Sequence, residues 1–380
     1  MNENPSCRTP GQLIQHLLDA RGWTKRVLAV ILKTDETGLN KIIAGKRPLD
    51  AEMALALSEI FDVPAETFLD LQKSYELAQA KIVRREDPDR TIRAQAFGNL
   101  PVSEMIQRGW LSVDDVRDFE KVKAELERFF GESSIEKIEA FPHVAKKTIV
   151  AGGATAAQLA WLYRVKEIAK EMLVARYSHD GVRDAILKLK PLLASPEATR
   201  KVPRILAECG IRFAIVESLT GSKIDGVCFW LGETSPVIGM TLRYDRIDNF
   251  WFVLRHELEH VIQGHGRDAV MLDAELEGDR AGTGDKVAEE ERIANQAAAE
   301  FCVPQRSLQS FMARKAPFCR EQEIIGFART LHIHPGLVAG QLQHKLNRYD
   351  RFRNHLVKIR SAIAPSAMVD GWGDIAPVGM

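Results

Sequence analysis

Residues 248–265 read DNFWFVLRHELEHVIQGH, and this stretch decides how the C-terminal part of the chain is interpreted. Apolar residues flank the polar segment HELEH, which predicts a helix with one buried side. His256 and His260 are four residues apart, so on a helix both imidazoles can bind one Zn²⁺. Glu257 then lies beside the metal, where it can take a proton from a water molecule that the zinc activates. We therefore expect a zinc site with His256 and His260 as ligands and Glu257 as general base.

A catalytic zinc has a third protein ligand and one open position. His265 is near, but it falls one residue short of the metzincin spacing HxxGxxH, so we expect it at the edge of the site, in contact with a ligand. The segment EEERIANQAAAEFCVP begins with three acidic residues at 289–291. Its apolar helical face extends back to Glu290 and Glu291 and excludes Glu289. Periodicity does not decide between Glu290 and Glu291.

Three short runs before this helix predict strands, because β-branched and aromatic residues alternate with Gly, Asp, Ser or Pro breaks. These runs are IRFAIVE (211–217), DGVCFWL (225–231) and PVIGMTLR (236–243). The last run could pair with an extended substrate peptide by β-augmentation. Residues 266–288 are rich in Gly and acids and predict a loop beside the cleft, either a solvated insertion or an inhibitory flap. Farther upstream, residues 154–177 predict an amphipathic helix with Leu159, Leu162 and Ile168 on its apolar face.

The N-terminal part, residues 9–70, is a run of short predicted helices. Thr9-Pro10 and Thr24 mark helix starts, and Gly22 and Gly45 mark helix ends. A further helix spans LDAEMALALSEIF (49–61). We expect four of its residues to face inward: Met53, Leu55, Ala56 and Ile60. Two short helices joined by a tight turn inside such a bundle form a helix-turn-helix.

The charge pattern restricts how nucleic acid can be bound. The chain has 52 Lys+Arg and 52 Asp+Glu, so its formal net charge is zero, which argues against binding over the whole surface. Residues 1–80 hold nine basic and eleven acidic residues, a net of minus two. Residues 24–47 hold six basic and two acidic residues, a net of plus four. A DNA contact must therefore be local; a helical module for dimerisation or partner binding is the alternative.

Residues 22–78 resemble the Xre-like helix-turn-helix of HigA-type antitoxins and repressors. Leu28-Ala29, IIAGKRPL (42–49) and LDLQKSYELA (69–78) carry the resemblance. It implies binding to operator DNA, through a recognition face and a set of phosphate contacts. The residues that would enter the major groove are Glu36, Thr37, Asn40 and Lys41. Those that would meet phosphates are Lys25, Arg26, Lys46 and Arg47.

FWFVLRHELEHVIQGH (250–265) together with ERIANQAAAEFCVP (291–304) resembles the ImmA/IrrE family of bacterial metallopeptidases. The resemblance covers about residues 200–345 and includes LHIHPGLVAGQLQH (331–344). It implies that His256 and His260 are zinc ligands, that Glu257 is the general base and that Glu291 is the third ligand. Glu259 stands where the family prefers a small residue, which implies an added carboxylate near the metal. Such peptidases act on transcriptional repressors.

These observations predict a multidomain chain. We expect an all-α helix-turn-helix domain (1–78), a helical connector (79–195), and an α+β zincin-like metallopeptidase domain with a small sheet and a helical C-terminal region (196–380). The expected function is a DNA-binding transcriptional regulator fused to a zinc-dependent endopeptidase that cuts a repressor or antitoxin in a stress or phage response. The alternative is a non-catalytic, antitoxin-like DNA-binding regulator whose peptidase-like domain binds a partner protein or senses a ligand.

Partners and location follow from the same features. DNA at an operator and a protein substrate are the expected partners, and a homodimer would strengthen an otherwise weak DNA contact. No apolar run approaches the roughly 20 residues of a membrane helix, and the polar start MNENPSCR is unlike a signal peptide. Five scattered cysteines without a CxxC pair indicate reduced thiols and a cytoplasmic protein.

Overall fold

A computed structural model of the chain describes residues 7–370 except 86, 88–89, 92, 95–96, 98–99, 132–153, 268–269, 275–288 and 316–317. Most of the predicted loop at 266–288 therefore lies outside the described residues. The chain divides into two compact units, Met1–Pro88 and Asp89–Met380. The predicted boundary at residue 78 falls inside a helix that continues to Val83.

The first unit is a bundle of five described helices. They are α1 (Pro10–Arg21), α2 (Lys25–Ile31), α3 (Glu36–Ile43), α4 (Ala51–Phe61) and α5 (Ala65–Val83). The first four begin with a side chain that accepts a backbone N–H of the first turn, which satisfies one donor that the helix leaves unpaired. These capping residues are Thr9, Thr24, Asp35 and Asp50. The caps at Thr9 and Thr24 and the helix end at Gly22 are as predicted.

The predicted inward face of α4 is wrong, because none of its four residues is buried. Leu55 is 59% exposed, and the residues buried in the bundle are Ala54, Leu57 and Phe61. Met53 and Ile60, also predicted inward, pack only partly against this core. The apolar stripe of α4 is broad enough for two choices of face, and contacts with the other helices decide between them.

The second unit contains a five-stranded mixed sheet surrounded by helices. The strands are β1 (Arg212–Val216), β2 (Ile224–Trp230), β3 (Pro236–Met240), β4 (Met271–Ala274) and β5 (Met368–Asp370). The α-helices are α6 (Val102–Gln107), α7 (Phe119–Phe130), α8 (Ala156–Glu171), α9 (His179–Leu189), α10 (Val202–Glu208), α11 (Ile247–Gln263), α12 (Glu289–Cys302), α13 (Gln305–Lys315), α14 (Glu321–Thr330), α15 (Pro335–Leu346) and α16 (Arg360–Ile363). Short 3₁₀ segments span Lys190–Ala194, Pro196–Lys201, Arg353–His355 and Ala364–Ser366.

The strand order is β4-β2-β3-β1-β5. β3 is parallel to β1 and antiparallel to β2, so both of its hydrogen-bonding edges are used. The idea that this strand pairs with a substrate peptide is therefore wrong. β4 pairs with β2 and lies within the segment predicted as a loop, of which residues 271–274 are a strand instead.

Helices cover both faces of the sheet. Alternate residues of β1 enter two different cores: Phe213 and Ile215 enter one, and Ala214 and Val216 enter the other. Helices α6, α7 and α8 form the second of these cores with the sheet. Much of the segment predicted as a connector thus packs as a layer of the second unit. Leu159, Leu162 and Ile168 on α8 are buried, as predicted.

Candidate metal centre

The helix α11 holds the HELEH segment in the interior of the second unit. Residues 256, 257 and 260 are fully buried. The helix begins at Ile247, with Arg246 at its N-cap position, and Asp248 lies in the first turn, where it accepts hydrogen bonds from the Arg246 guanidinium. Gly264 ends the helix in the left-handed region, with φ of 74°.

Helix α12 brings a carboxylate to the two imidazoles. Glu291 Oε2 lies 3.3 Å from His256 Nε2, and Glu291 Oε1 lies 3.5 Å from His260 Nε2. The two Nε2 atoms are 3.0 Å apart. Among the described residues, these three side chains form a group whose ligand atoms all lie within 4.8 Å of one another. Of the two carboxylates that periodicity left open, Glu291 is the one in this group.

The donor set fits a tetrahedral zinc ion. With bonds of about 2.0–2.2 Å from zinc to nitrogen or oxygen, ligand atoms at tetrahedral angles lie about 3.3–3.6 Å apart. The two Nε2 atoms are 3.0 Å apart, and each is 3.3 or 3.5 Å from one of the two Glu291 oxygens, so the separations are close to that range. Three protein ligands would leave one position open, as in catalytic zinc sites.

Asn295 orients the first imidazole. Its Oδ1 lies 3.1 Å from His256 Nδ1. Because an amide oxygen only accepts, His256 donates through Nδ1–H and keeps Nε2 unprotonated, which is the form that binds a metal. Asn295 has no role in the predictions from sequence. The signal was its position four residues after Glu291, on the same side of α12.

His265 contacts the second imidazole from beyond the helix end. The turn at Gly264 folds the chain back, and His265 Nδ1 lies 2.9 Å from His260 Nδ1. If His260 Nε2 is a ligand, its proton is on Nδ1 and His265 must accept it. The proton of His265 is then on Nε2, which lies 3.9 Å from Glu290 Oε1. Neither His265 nor Glu290 belongs to the group of three, and with a metal bound they would support one of its ligands.

Glu257 occupies a space that exists because residue 226 is glycine. A Cβ built at Gly226 on β2 would lie 2.0 Å from Glu257 Oε1, with no room for both. The carboxylate is thus held between α11 and β2, one residue along the helix from His256. In that position it is fully buried, away from bulk water.

Glu259 does not add a carboxylate to the group. Its oxygens accept hydrogen bonds from Arg255 Nη2 and Gln263 Nε2, both at 2.7 Å. Burial opposes ionisation, but these hydrogen bonds together with the Arg255 charge lower the pKa of the Glu259 carboxyl. Glu259 thus forms an ion pair with Arg255 along α11, and is not the extra carboxylate at the metal group that the resemblance implied. Glu289, which periodicity excluded, likewise pairs with Arg292.

In the first unit, α2, a short turn and α3 form the helix-turn-helix. Leu39 and Ile42 on α3 are buried, whereas Glu36, Thr37 and Lys41 are exposed and Asn40 is partly buried. The residues assigned to phosphates stand at the start of α2 and after the end of α3. Arg26, Lys46 and Arg47 are exposed, and Lys25 is partly buried. All eight are on the surface or at its border.

Residues 14–68 match the family model HTH_3, described as helix-turn-helix. The match supports a DNA-binding transcriptional regulator. A comparison with curated proteins gives no match. Within the described residues, no helix is both long and apolar enough to span a membrane.

Proposed function

We propose that the second unit is a zincin-like, zinc-dependent endopeptidase of the ImmA/IrrE type, joined to the DNA-binding unit, and that it cuts a repressor or antitoxin. The observation that carries this proposal is the group of His256, His260 and Glu291, in which both imidazoles are fully buried and the carboxylate is partly exposed. The buried Glu257 lies on the same helix as the two histidines. A zinc ion in such a group supplies Lewis-acid chemistry, polarising a carbonyl and making water easier to deprotonate.

The residues of the chain would divide the remaining work. His256, His260 and Glu291 would hold the ion, while Asn295 and His265 keep the two imidazoles in the metal-binding tautomer. Glu257 would take the proton of the attacking water and pass it to the leaving amine of the cut peptide bond. Burial of its carboxylate keeps competing water away during this transfer.

Glu257→Gln tests the proposal. The full chain and the variant are co-expressed with the product of the neighbouring gene, and cleavage is followed by mass spectrometry. Zinc content should stay near that of the wild type, because all three ligands remain, and cleavage should fall by roughly 10²- to 10⁴-fold. Glu259→Gln is the matched control, since it is the same change on the same helix at a carboxylate held by Arg255 and Gln263. Undiminished cleavage by Glu257→Gln would exclude this role.

A regulator without catalysis is the second candidate, because the helix-turn-helix match accounts for DNA binding without an enzyme. Metal analysis of the wild type and of His256→Ala, together with band shifts on a promoter fragment, separates the two. Zinc that is lost in His256→Ala supports the peptidase. DNA binding by a wild type without zinc supports the regulator.

A further inference from the structure

A cavity of about 440 Å³ lies beside the candidate metal centre. Part of its lining lies on α11 and α12, further along each helix from the three-residue group. Asp248 and Phe252 precede His256 on α11 at four-residue steps, and Ala299 follows Asn295 on α12 by four residues, so they lie on the same sides of these helices. Phe252 and Asn295 line the cavity and also contact His256, by ring stacking and by a hydrogen bond. The cavity is therefore adjacent to the ligands and distinct from them.

The interior of the cavity favours an apolar ligand. Its lining includes Phe252, Ala299, Cys302 and Leu337. Two amides in the lining are already used within the protein. Gln305 Nε2 donates to Gln341 Oε1 at 2.7 Å, and Gln341 Nε2 donates to the Ala299 carbonyl at 2.9 Å. Because these two amides hydrogen-bond within the protein, a bound molecule would pack mainly against the apolar side chains of the lining.

The charge at the cavity is positive. Asp248 is the acidic lining residue, and the Arg246 guanidinium offsets it through two hydrogen bonds. Lys345 is exposed and, within the part of the chain that the structure describes, has no carboxylate within ion-pair distance. Desolvation, and after it the charge of Lys345, lowers the pKa of His344, which favours the uncharged imidazole. The remaining positive charge therefore comes from Lys345.

We propose that this cavity binds a small organic monoanion, a carboxylate with an apolar or aromatic body. The carboxylate would pair with Lys345, and the body would pack against Phe252 and Leu337. The volume lies in the usual range for small-molecule sites, roughly 300–1,000 Å³. Such a site does not require metal or peptidase activity, so it stands or falls separately from the proposed function.

The test uses the full chain and a panel of aromatic and branched aliphatic carboxylates, each with its primary amide as a neutral partner. Binding is measured by titration calorimetry and ligand-observed NMR. At least one carboxylate should bind with Kd of about 1 mM or below, and its amide should bind about tenfold more weakly. If no carboxylate binds, or if acid and amide bind equally, the proposal is overturned.

Two pairs of variants locate the site. Lys345→Gln should remove the preference for the acid, whereas Lys358→Gln, which removes an exposed charge outside the lining, should keep it. Ala299→Leu should fill the cavity and abolish binding, whereas Ala297→Leu, two residues away and not in the lining, should not. Melting curves identify variants that fail to fold. If Ala299→Leu does not fold, the comparison of Lys345→Gln with Lys358→Gln tests the proposal by itself. Equal binding by Lys345→Gln and wild type would overturn the proposal.

Discussion

The Nδ1 atoms of His260 and His265 lie 2.9 Å apart, so one imidazole must donate to the other. In the proposed zinc site the donor is His260, and the proton of His265 is then on Nε2, 3.9 Å from Glu290 Oε1 on α12. In that site His265, which lies beyond the end of α11, would determine the tautomer of a ligand within the helix.

Replacing His265 should weaken zinc binding. We expect His265→Ala to lower zinc affinity by roughly 10- to 100-fold, because the supporting hydrogen bond to His260 is removed while all three ligands stay. Competition with a fluorescent zinc chelator measures this. His265→Asn should recover part of the affinity, since an amide oxygen can accept from Nδ1–H. His179→Ala removes an exposed histidine on α9 and should bind as wild type does. Equal zinc affinity of His265→Ala and wild type would contradict the assignment.

Gly226→Ala should disturb Glu257 without touching a ligand. The added methyl group would lie 2.0 Å from Glu257 Oε1, and also 3.0 Å from Val253 Cγ1. Because the added methyl group would overpack this position, we expect Gly226→Ala to lower the free energy of unfolding by about 1–3 kcal/mol, measured by urea denaturation. Gly232→Ala is the control: a Cβ there meets nothing within 4 Å, and stability should change little. Equal stability of the two variants would show that the space beside Glu257 can adapt.

DNA affinity should depend on the loop after α3. We expect Lys46→Gln combined with Arg47→Gln to weaken binding to a promoter fragment and to reduce the slope of log K against log salt by about 0.9 for each phosphate that the protein no longer neutralises. Fluorescence anisotropy at several salt concentrations measures both effects. Lys73→Gln combined with Lys81→Gln on α5 removes the same charge from another exposed surface. If this pair reduces the slope as much, general charge and not the predicted surface is responsible.

Stability should fall in mild acid because of His334. Its Nδ1 accepts the backbone N–H of Gly336 at 3.0 Å and caps α15, so it must be unprotonated. Burial, and after it the charge of His355, lowers the pKa of His334 against the opposing effect of Glu197 and Asp248. The unfolded chain then binds the proton more readily, and stability decreases as pH falls below about 6.5, the ordinary value for histidine.

Unfolding by urea at a series of pH values checks this. His334→Ala should cost about 1 kcal/mol at neutral pH, because the cap is removed. His334→Asn should keep a capping oxygen that does not titrate in this range, and its stability should decline less with acid. A decline as steep as that of the wild type would assign the acid sensitivity to another group.

Local signals predicted the parts of the site that depend on helical spacing. His256 and His260 share a side of α11 because they are four residues apart, and the strands before them follow from β-branched runs between breaks. The helix caps at Thr9 and Thr24 are equally local, since one side chain and the next turn define them.

The remaining features depend on contacts that are distant in sequence. The choice of Glu291 over Glu290 depends on how α12 is rotated about its own axis where it packs against α11. Periodicity predicted that rotation only to within one residue. The contact of His265 requires the turn at Gly264, and the space for Glu257 requires Gly226, thirty-one residues earlier in the chain. Leu55 appeared equivalent to its buried neighbours until the other helices of the bundle were in place.

The late position of β5 in the chain has a consequence for biosynthesis. β1 ends at Val216, but the strand that covers its outer edge, Met368–Asp370, is made about 150 residues later. During translation that edge of β1 stays available to any extended chain nearby, a recognised route to aggregation. A ribosome that stops before residue 368 therefore releases a product with an open sheet, and we expect such products to need chaperones or to be degraded.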